Sequence, residues 1–533
     1  MPQGSRYGSL RQMSLYSVWG WGGPDDEPDA AGLAAAAPYF AEVLGFPVQA
    51  PERPAAALPD LMPSRVTVPG TLAALAADDV TSRADRALGR SYRDVIRGLR
   101  GQLDSVPDVV LRPRDAGEVA AVLDWCGAAG IAVVPYGGGT SVVGGVEGPA
   151  ERPVVSLDLG SLDRVLEVDP VSRAARIQAG IRGPALERQL DGTGLTLRFY
   201  PQSFERSTLG GWVVTRAAGH YSTRLTHIDD VVESVTAVTP AGVWSSRRLP
   251  GSGAGPSPDR LLLGSEGTLG VVTEAWVRLQ ARPTHRAGGT VAFAEFTAGA
   301  GALRALVQAG LDPAGCRLVD ADEARLTGTL GDGRAVLVLA FESADHPVDA
   351  LLARGVELCA DHGGTLLPRS EGGADAGRQW RDTFLRAPYL REQLVLLGVL
   401  TETFETAVTW DLFDGFVAAV RTATRAAVTR VAGAGQVTCR ITHAYPDGAA
   451  PYFTVLAPAR RGSELAQWAE VKAAASEAIL AAGGTITHHH AVGRDHRPWY
   501  DAQRPDVFAS ALRAAKAVVD PAGILNPGVL LDP

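Results

Sequence analysis

The sequence predicts an α+β protein with at least two domains, and three observations support this fold class. The chain has 533 residues, of which 46% are hydrophobic, so it can fill more than one core. Strand-like and helix-like segments of ordinary length alternate over residues 106–282. Glycine-rich loops are concentrated in that same stretch, whereas ordinary patterns continue without them to residue 480 or so. We therefore expect an α+β domain at 106–282.

The charge and the cysteines narrow the class of protein. A net charge of −9 without a cluster of basic residues disfavours nucleic acid as a partner, because such a surface repels phosphate. The four cysteines lie far apart without Cys-x-x-Cys spacing, which indicates buried, reduced thiols in a cytoplasmic protein. No signal peptide and no run of about 18 apolar residues is visible, so any membrane contact is expected to be peripheral.

The N-terminal residues and the first domain can be divided into elements. Residues 1–105, rich in proline, alanine and aspartate, are interpreted as an extension that packs on or leads into that domain. Asp115 can cap a helix, with Glu118 three residues later to complete a capping box, and Gly127 or Gly130 can end it. Strands are predicted at 107–111, 131–134, 154–157 and 174–179, and a second helix at 184–190.

The second domain is expected at 283–500, where ordinary strand and helix patterns resume. The last segment, 501–533, carries one more helix at 506–519. That helix should end before Asp520-Pro521, because proline cannot continue it.

Three loops in the first domain are rich in glycine, serine and threonine. The loop at 135–141 follows a buried strand, and its three glycines let backbone N–H groups approach a diphosphate. Taken alone, it is more often a plain turn. Further clusters at 207–219 and 264–271 suit a long dinucleotide, each part of which would be met by backbone. The Gly-x-Gly-x-x-Gly fingerprint of nicotinamide enzymes is absent.

These loops belong to a pattern that spans nearly the whole chain. Residues 107–282 resemble the FAD-binding domain of the vanillyl-alcohol oxidase and p-cresol methylhydroxylase (PCMH-type) superfamily, and 520–528 resemble its C-terminal signature. Within it, the chain is similar to the alkyldihydroxyacetonephosphate synthase family at 19–22, 403–406 and 488–493. The resemblance implies a two-part PCMH-type FAD-binding domain, an α+β cap domain for the substrate, and a C-terminal helix that returns to the FAD domain.

The resemblance also implies bound FAD. Some members attach the flavin to a histidine or cysteine beside the first loop, but this chain has Tyr136 there, so we expect non-covalent FAD. The residues expected around it are Pro135, Tyr136, Gly137, Gly138, Gly139, Thr140, Ser141, Gln202, Ser203, Ser207, Thr208, Gly211, Thr215, Arg216, Ala217, Ala218, Ser265, Glu266, Gly267, Thr268, Leu269, Gly270 and Val271.

Three consecutive histidines lie in a predicted strand at 485–490, so alternation places His488 and His490 on one face and His489 on the other. Such a run fits a metal tract or a hydrogen-bonded cluster, but no third ligand is apparent nearby. Tyr445 and Tyr452 flank a predicted turn at 446–451, where aromatic packing is the commoner explanation.

The resemblance to the superfamily implies catalytic roles for these tyrosines and histidines. Its metal-dependent 2-hydroxy-acid dehydrogenases have two histidines where this chain has Tyr445 and Tyr452, and a glutamate in place of His489. The resemblance therefore implies that no metal is bound. It assigns the acid–base pair to Tyr452 and His490, within a catalytic cluster that includes His488 and His489.

Two arginines complete the set that the resemblance implies. Arg391 holds the anionic group of the substrate, and Arg317 is a second arginine needed for activity; without the resemblance, Arg391 would be interpreted as a surface helix residue beside Glu392. The chemistry is reasonable, because a phenol whose pKa is lowered by imidazole or guanidinium neighbours can remove a proton beside a carbonyl. A planar guanidinium can donate two parallel hydrogen bonds to a phosphate.

Two functions remain open. The first is exchange of the acyl group of acyl-dihydroxyacetone phosphate for a fatty alcohol, in ether-lipid synthesis, through a flavin N5 adduct and without net oxidation. The alternative is an FAD-linked oxidase or dehydrogenase of a hydroxylated small molecule such as a 2-hydroxy acid or an alcohol. The segment 320–334 is short where the synthase family has a longer lid, which favours keeping the alternative. Either way we expect a small or lipid-like anionic substrate and a homodimer.

Overall fold

The computed structural model describes residues 18–22, 29–55, 58–368 and 376–532. Over this part of the chain the fold is α+β: a two-part FAD-binding domain, a cap domain built on one large antiparallel sheet, and a C-terminal segment that returns to the FAD-binding domain. A large cavity separates the FAD-binding domain from the cap.

The N-terminal segment packs in two places, not only on the first domain. Its elements are α1 (Ala30–Leu44), β1 (Ala76–Ala77), α2 (Val80–Ala84) and α3 (Tyr92–Leu99). Leu33 and Leu44 of α1 are buried in the core of the cap, together with most of α3. Leu72 and Leu75 are instead buried in the first part of the FAD-binding domain. The apolar residues of this segment therefore serve both cores, in addition to the expected packing on the first domain.

The first part of the FAD-binding domain is a small sheet covered by one helix. The sheet has the order β1-β2-β4-β3, in which β2, β4 and β3 run parallel. Its strands and helix are β2 (Val109–Leu111), α4 (Ala116–Ala129), β3 (Ala132–Tyr136) and β4 (Val154–Asp158). Asp115 caps α4 by accepting the N–H of Glu118 at 2.9 Å, and Gly130 ends it in a left-handed conformation, as predicted. Only half of the capping box forms, because Glu118 accepts the N–H of Arg114.

The second part is an antiparallel sheet of order β5-β6-β10-β8-β9. Its elements are β5 (Val165–Asp169), β6 (Ala174–Gln178), α5 (Gly183–Gln189), β7 (Leu195–Thr196), α6 (Leu209–Thr215), α7 (Ile228–Val231), β8 (Val232–Thr239), β9 (Gly242–Ser245), β10 (Val271–Arg278) and β11 (Gln280–Ala281), and β7 pairs with β11. Helix α6 begins at Thr208, whose side chain accepts the N–H of Gly211 at 3.3 Å, and this turns the second glycine loop into a helix.

The cap is an antiparallel sheet of order β15-β12-β14-β13-β18-β19-β16, with β17 paired to β19. Its elements are β12 (His285–Phe293), α8 (Phe296–Gln308), β13 (Gly315–Val319), α9 (Ala321–Leu326), β14 (Ala335–Ser343), α10 (Asp349–Asp361), β15 (Thr365–Leu366), α11 (Ala376–Leu396), β16 (Val399–Glu405), β17 (Val408–Thr409), α12 (Phe413–Ala432), β18 (Gln436–Ala444), β19 (Gly448–Pro458) and α13 (Glu464–Ala481). Alternation along the central strands puts Ile441 and Val455 into the core, whereas Arg440 and Thr454 face the cavity.

The C-terminal segment closes the FAD-binding domain. After α14 (Arg497–Gln503), helix α15 (Asp506–Val519) ends before Pro521, as predicted. The buried ammonium group of Lys516 donates to the carbonyls of Thr268 and Leu525, each at 2.8 Å, and Asn526 N–H donates to the Val133 carbonyl of β3 at 2.8 Å. None of the helices in the described ranges combines the length and the hydropathy that a membrane span requires.

Candidate active site

The cavity between the FAD-binding domain and the cap has a volume of about 600 Å³. Its floor is built from the three glycine-rich loops, and their glycines are required by close approach. A Cβ atom on Gly137 would lie 2.3 Å from Thr208 Oγ1, and one on Gly138 would lie 2.2 Å from the carbonyl oxygen of Arg206. The first two loops therefore pack closely against each other at these glycines, through the side chain of Thr208 and the backbone of Arg206.

All but five of the residues expected around FAD line this cavity. They are Pro135, Tyr136, Gly137, Gly138, Gly139, Thr140, Ser141, Gln202, Ser203, Ser207, Thr208, Gly211, Thr215, Ala217, Ala218, Glu266, Gly267 and Gly270. The five exceptions are Arg216, Ser265, Thr268, Leu269 and Val271.

Four of the exceptions are held by internal contacts, and the hydroxyl of the fifth, Ser265, is buried without a hydrogen-bond partner among the described residues. The Arg216 guanidinium is paired with Asp229 at 2.8 Å. Thr268 donates its hydroxyl to the Ser265 carbonyl at 2.7 Å, which closes the turn of the third loop. Leu269 and Val271 are fully buried in apolar cores on either side of that loop. Some residues of such a loop line the cavity, and others fix the loop to the rest of the domain. The sequence pattern alone does not show which residue does which.

Trp21 and Asn526 also line the cavity, and neither is among the site residues predicted from the sequence. Trp21 is buried there at 4% exposure. Asn526, in the C-terminal signature, donates its Nδ2 to the carbonyls of Gly145 and Glu266 at 3.1 and 2.7 Å. Its Oδ1 is buried and accepts no hydrogen bond from the described residues, so it remains available to a donor in the cavity. Its place between two loops could not be inferred from local spacing.

Tyr452 lies in β19 at the centre of the cap face, opposite Arg440 in β18 and Glu405 in β16. The Arg440 guanidinium stands 3.9 Å from the centre of the Tyr452 ring and is held by Glu323 at 2.5 Å. Burial raises the pKa of Tyr452, and the Arg440 guanidinium, a hydrogen bond with Thr403 and the Arg391 guanidinium only oppose that rise. The expected lowering of the phenol pKa is therefore wrong for this arrangement.

The carboxylate of Glu405 holds the backbone of residues 488–490, the histidine segment. Its buried carboxylate accepts the backbone N–H groups of His488, His489 and His490 at 2.7, 3.1 and 2.8 Å, and the hydroxyl of Thr487 at 2.6 Å. Burial opposes its charge, but the facing imidazoles and the Thr487 hydroxyl hold the pKa of this carboxyl well below its usual range. In the sequence, residues 403–406 stand out only as part of the family resemblance, and nothing local indicates this role of Glu405.

The strand predicted at 485–490 is wrong. Consecutive N–H groups of a strand point to opposite sides, whereas those of 488–490 converge on one carboxylate, so the backbone must curve. As a result His489 and His490 both line the cavity, and His488 lies behind them. Burial lowers the pKa of His490 to about 3, so its imidazole is neutral at physiological pH.

His488 is bonded on both ring nitrogens. Its Nδ1 lies 3.0 Å from Nδ1 of His489, and its Nε2 lies 2.7 Å from the Tyr445 hydroxyl and 3.0 Å from Nε2 of His227. Tyr445 therefore bonds to a histidine and does not pack on Tyr452. The turn that follows β18 is also shorter than predicted, since β19 already begins at Gly448.

His443 of β18 joins this cluster, and the sequence gave only an isolated histidine in a strand as a signal. His443, His488 and His489 each place one ring nitrogen within 4.8 Å of a ring nitrogen of the other two. A third possible metal ligand therefore does lie near the histidine run. Both nitrogens of His443 are engaged, Nδ1 with Thr442 Oγ1 at 3.0 Å and Nε2 with the Gly219 carbonyl at 2.8 Å. The arrangement is that of a hydrogen-bonded cluster.

The two arginines face the cavity from different elements. Arg391 of α11 lines it, and its Nε and Nη2 atoms are buried without a hydrogen-bond acceptor among the described residues. Neighbouring Glu392 is buried too, so the interpretation of Arg391 as a surface residue is wrong. Arg317 of β13 is 3% exposed, donates to the His220 carbonyl, and has its pKa lowered to about 9 by burial. The unmet donors of Arg391 in the cavity are suited to an anion.

Comparisons with known proteins agree with this geometry. An FAD-binding domain model matches residues 107–246, and the model of the FAD-linked oxidase C-terminal domain matches 282–530. Alkyldihydroxyacetonephosphate synthase of Caenorhabditis elegans is 32% identical over 86% of this chain and 81% of its own, and that of Dictyostelium discoideum is 30% identical over 85% and 78%. Glycolate oxidase subunit GlcD of Bacillus subtilis is 27% identical over 80% and 89%.

Solved structures show the same fold. A structure of alkyldihydroxyacetonephosphate synthase superposes with a TM-score of 0.79 at 24% identity, covering 97% of this chain and 100% of that one. Substrate-bound p-cresol methylhydroxylase superposes with a TM-score of 0.68 at 14% identity, covering 86% and 94%.

Proposed function

Because this chain belongs to the alkyldihydroxyacetonephosphate synthase family, we propose that it replaces the acyl group of acyl-dihydroxyacetone phosphate by a fatty alcohol, with FAD as cofactor, in the synthesis of ether lipids. One observation carries the proposal. The unmet donors of Arg391, the hydroxyl-bearing ring of Tyr452 and the imidazole of His490 line the same cavity as the glycine-rich loops.

The cavity fits FAD. Backbone N–H groups of the glycine-rich loops suit its diphosphate, and the free Oδ1 of Asn526 suits a donor of the bound molecule. When bound, FAD supplies a ring that can accept and return an electron pair, so two groups can exchange at one carbon without net oxidation. We propose that it is held non-covalently, since Tyr136 donates its hydroxyl to the Asp85 carbonyl at 3.1 Å and is not a flavin-linking residue.

We assign the phosphate of the substrate to Arg391. Its fork can donate two parallel hydrogen bonds, and burial makes each of them stronger than in water. Arg317 of β13 lines the same cavity and adds positive charge to it. The pull of two guanidinium groups suits a dianion.

We assign the removal of the proton beside the carbonyl to the hydroxyl oxygen of Tyr452. Because its pKa is raised, the phenol must first give up its own proton, and we assign the neutral imidazole of His490, edge-on to the Tyr452 ring with ring centres 5.5 Å apart, as the acceptor. The Arg440 guanidinium against the ring then stabilises the phenolate.

The apolar part of the cavity suits a lipid-like chain. Leu326, Leu390 and Leu394 line it, so the short segment 320–334 still supplies part of the wall through Leu326 of α9. This supports a long-chain alcohol over a small hydroxy acid.

The alternative, FAD-linked oxidation of a hydroxylated small molecule, is favoured by one observation, the similarity to GlcD. An anaerobic absorbance experiment separates the two. Loss of the flavin band on addition of palmitoyl-dihydroxyacetone phosphate, with recovery on adding hexadecanol and no oxidant, supports the synthase. Bleaching by a 2-hydroxy acid that recovers only with oxygen or a dye would replace it by the oxidoreductase.

We also propose a cytoplasmic homodimer with at most peripheral membrane contact and no nucleic-acid partner, divided into 1–105, 106–282, 283–500 and 501–533. The buried, unpaired thiols of all four cysteines support a reducing compartment. We further propose that no metal is required, because the ring nitrogens of His443 and His488 already have hydrogen-bond partners.

A further inference from the structure

Trp21 enters the cavity from a short segment that lies before the first helix. Residues 18–22 form neither a helix nor a strand, and all but the first are buried. Trp21 lines the cavity at 4% exposure, whereas Trp19, two residues earlier, is buried in the core of the cap. Since no regular element fixes the backbone here, the contacts of this segment determine where the indole lies.

We propose that Trp21 is a substrate-binding residue that closes the cavity beside Arg391, and that Glu392 positions it. The proposal rests on the proposed function, which assigns the phosphate of the substrate to Arg391. Glu392 follows Arg391 in α11, and its carboxylate meets the segment on both sides of Trp21. A Cβ atom on Gly20 would lie 3.1 Å from the carboxyl carbon and from both oxygens of Glu392. The N–H group of Gly22 donates a hydrogen bond to the same carboxylate.

The segment is held on its other side by α3. A Cβ atom on Gly98 of this helix would lie 2.7 Å from Cα of Trp19 and 2.9 Å from the carbonyl oxygen of Val18. Gly20 and Gly98 both have little room for a side chain, so the backbone that leads to Trp21 is packed tightly between α3 and α11. The position of the indole therefore depends on these two helices.

The surroundings of the indole are positively charged. On the side of the FAD-binding domain, the Arg206 guanidinium lies 5.5 Å from the centre of the ring. Glu392 is 3% exposed, and burial raises its pKa to about 7. The guanidinium groups of Arg391, Arg90 and Arg206 oppose that rise. Burial also raises the pKa of Asp85, which faces two of these arginines. Among the described residues, three guanidinium groups thus face two carboxylates whose charge is disfavoured by burial, and this excess of positive charge suits an anion.

An apolar wall at this place strengthens the binding of an anion. The attraction between a phosphate and a guanidinium is weak in water and much stronger where water is excluded. An indole covers a large area with an apolar surface. Without it, water would fill the space and screen a phosphate from Arg391, whose Nε and Nη2 atoms have no acceptor among the described residues. We therefore expect Trp21 to act on the affinity for the substrate and not on proton transfer.

Trp21→Ala tests the role of the indole. We expect the KM for palmitoyl-dihydroxyacetone phosphate to rise about 10-fold while kcat stays within about twofold, because the affinity for the anion falls and the reacting groups are unchanged. Trp21→Phe keeps an apolar ring and should recover most of the affinity. Tyr39→Ala, which removes an exposed aromatic ring of α1, is the control. An unchanged KM, or a loss of bound FAD in Trp21→Ala, overturns the proposal.

Gly20→Ala tests the positioning by Glu392 with Trp21 in place. The added methyl group meets the buried carboxylate, so the indole should shift and the KM should rise about 10-fold, again with kcat within about twofold. Gly251→Ala is the matched control, because a Cβ atom there meets nothing within 4 Å. A wild-type KM in Gly20→Ala would show that Glu392 does not position Trp21.

The binding of inorganic phosphate to the FAD-loaded protein separates this proposal from the proposed function. We expect its dissociation constant, measured by isothermal titration calorimetry, to be about 10-fold higher in Trp21→Ala and in Gly20→Ala than in the unaltered protein. If it is higher but the unaltered protein forms no ether, the role of Trp21 stands and the proposed function fails. If ether is formed and all three proteins bind phosphate equally, the function stands and this role fails.

Discussion

Glu405 and Tyr452 lie directly opposite each other on adjacent strands of the cap sheet. This strand pair places Tyr452, the proposed proton acceptor, next to Glu405, whose carboxylate holds residues 488–490. Because a strand side chain is fixed by its neighbours, this pair sets how far His489 and His490 stand from the phenol. The geometry of the site is therefore determined by sheet register and not by the histidine segment itself.

Glu405→Gln tests this anchor. The amide keeps the shape but places an N–H₂ group among four donors, so we expect the 488–490 segment to lose its position. We predict a loss of kcat of about 100-fold or more and a loss of about 2–4 kcal/mol in the free energy of unfolding. Steady-state kinetics and urea unfolding measure both. Glu470→Gln, at an exposed helix position, is the control. Wild-type kinetics in Glu405→Gln would show that the carboxylate is not needed.

Tyr452→Phe removes only the hydroxyl. We predict unchanged FAD absorbance and affinity, with a fall in turnover of about 10²- to 10⁴-fold, as expected for a group that moves a proton in the reaction. Tyr39→Phe, which alters an exposed tyrosine, should have no effect. Full turnover in Tyr452→Phe would move the proton acceptor elsewhere in the cavity.

Arg391→Lys keeps the charge but loses the fork. We predict an increase in KM for acyl-dihydroxyacetone phosphate of about 100-fold, since two charge-assisted hydrogen bonds are replaced by a poorly placed one. FAD binding should not change. The control is Arg430→Lys at an exposed site. An unchanged KM would place the phosphate on another residue.

The raised pKa of Glu266 implies that the free energy of unfolding depends on pH. Its carboxylate accepts the N–H groups of Val492 and Gly493 at 2.9 and 2.8 Å, and burial raises its pKa to about 7. The folded protein therefore binds a proton more tightly than the unfolded chain, so this stabilisation is present below the ordinary pKa of a glutamate and is lost as the pH rises towards 7. Glu266→Gln should flatten the fall in stability over that window, which amounts to roughly 3 kcal/mol at most. Urea unfolding at several pH values measures it; an equal slope in the variant contradicts the assignment.

The sequence predicted local features well. The cap of α4 at Asp115, its end at Gly130 and the end of α15 before Pro521 depend on neighbours in the chain, and each is confirmed. The glycine-rich loops were found because three of them lie in one domain, although the first loop alone is more often a plain turn. The resemblance placed Tyr452, His489, His490, Arg317 and Arg391, and all of them line the cavity.

The parts that the sequence could not predict depend on distant pairs. Glu405 contacts the three histidines although it lies about 80 residues before them in the sequence. Its position is set by the pairing of β16 with β19, and strand pairing between distant segments leaves no local signal in the sequence. His227 and His443 reach His488 from different domains. The sequence pattern at 488–490 predicts a strand, because the carboxylate of Glu405, which accepts the backbone N–H groups and curves this segment, is distant in the sequence.

The most direct test of the account is the stoichiometry of the reaction without an electron acceptor. FAD-loaded protein is incubated anaerobically with palmitoyl-dihydroxyacetone phosphate and hexadecanol, and the products are quantified by mass spectrometry. The account predicts equal amounts of hexadecyl-dihydroxyacetone phosphate and palmitate, over many turnovers, with oxidised flavin at the end. No ether, together with flavin that is reduced by a 2-hydroxy acid, would contradict it.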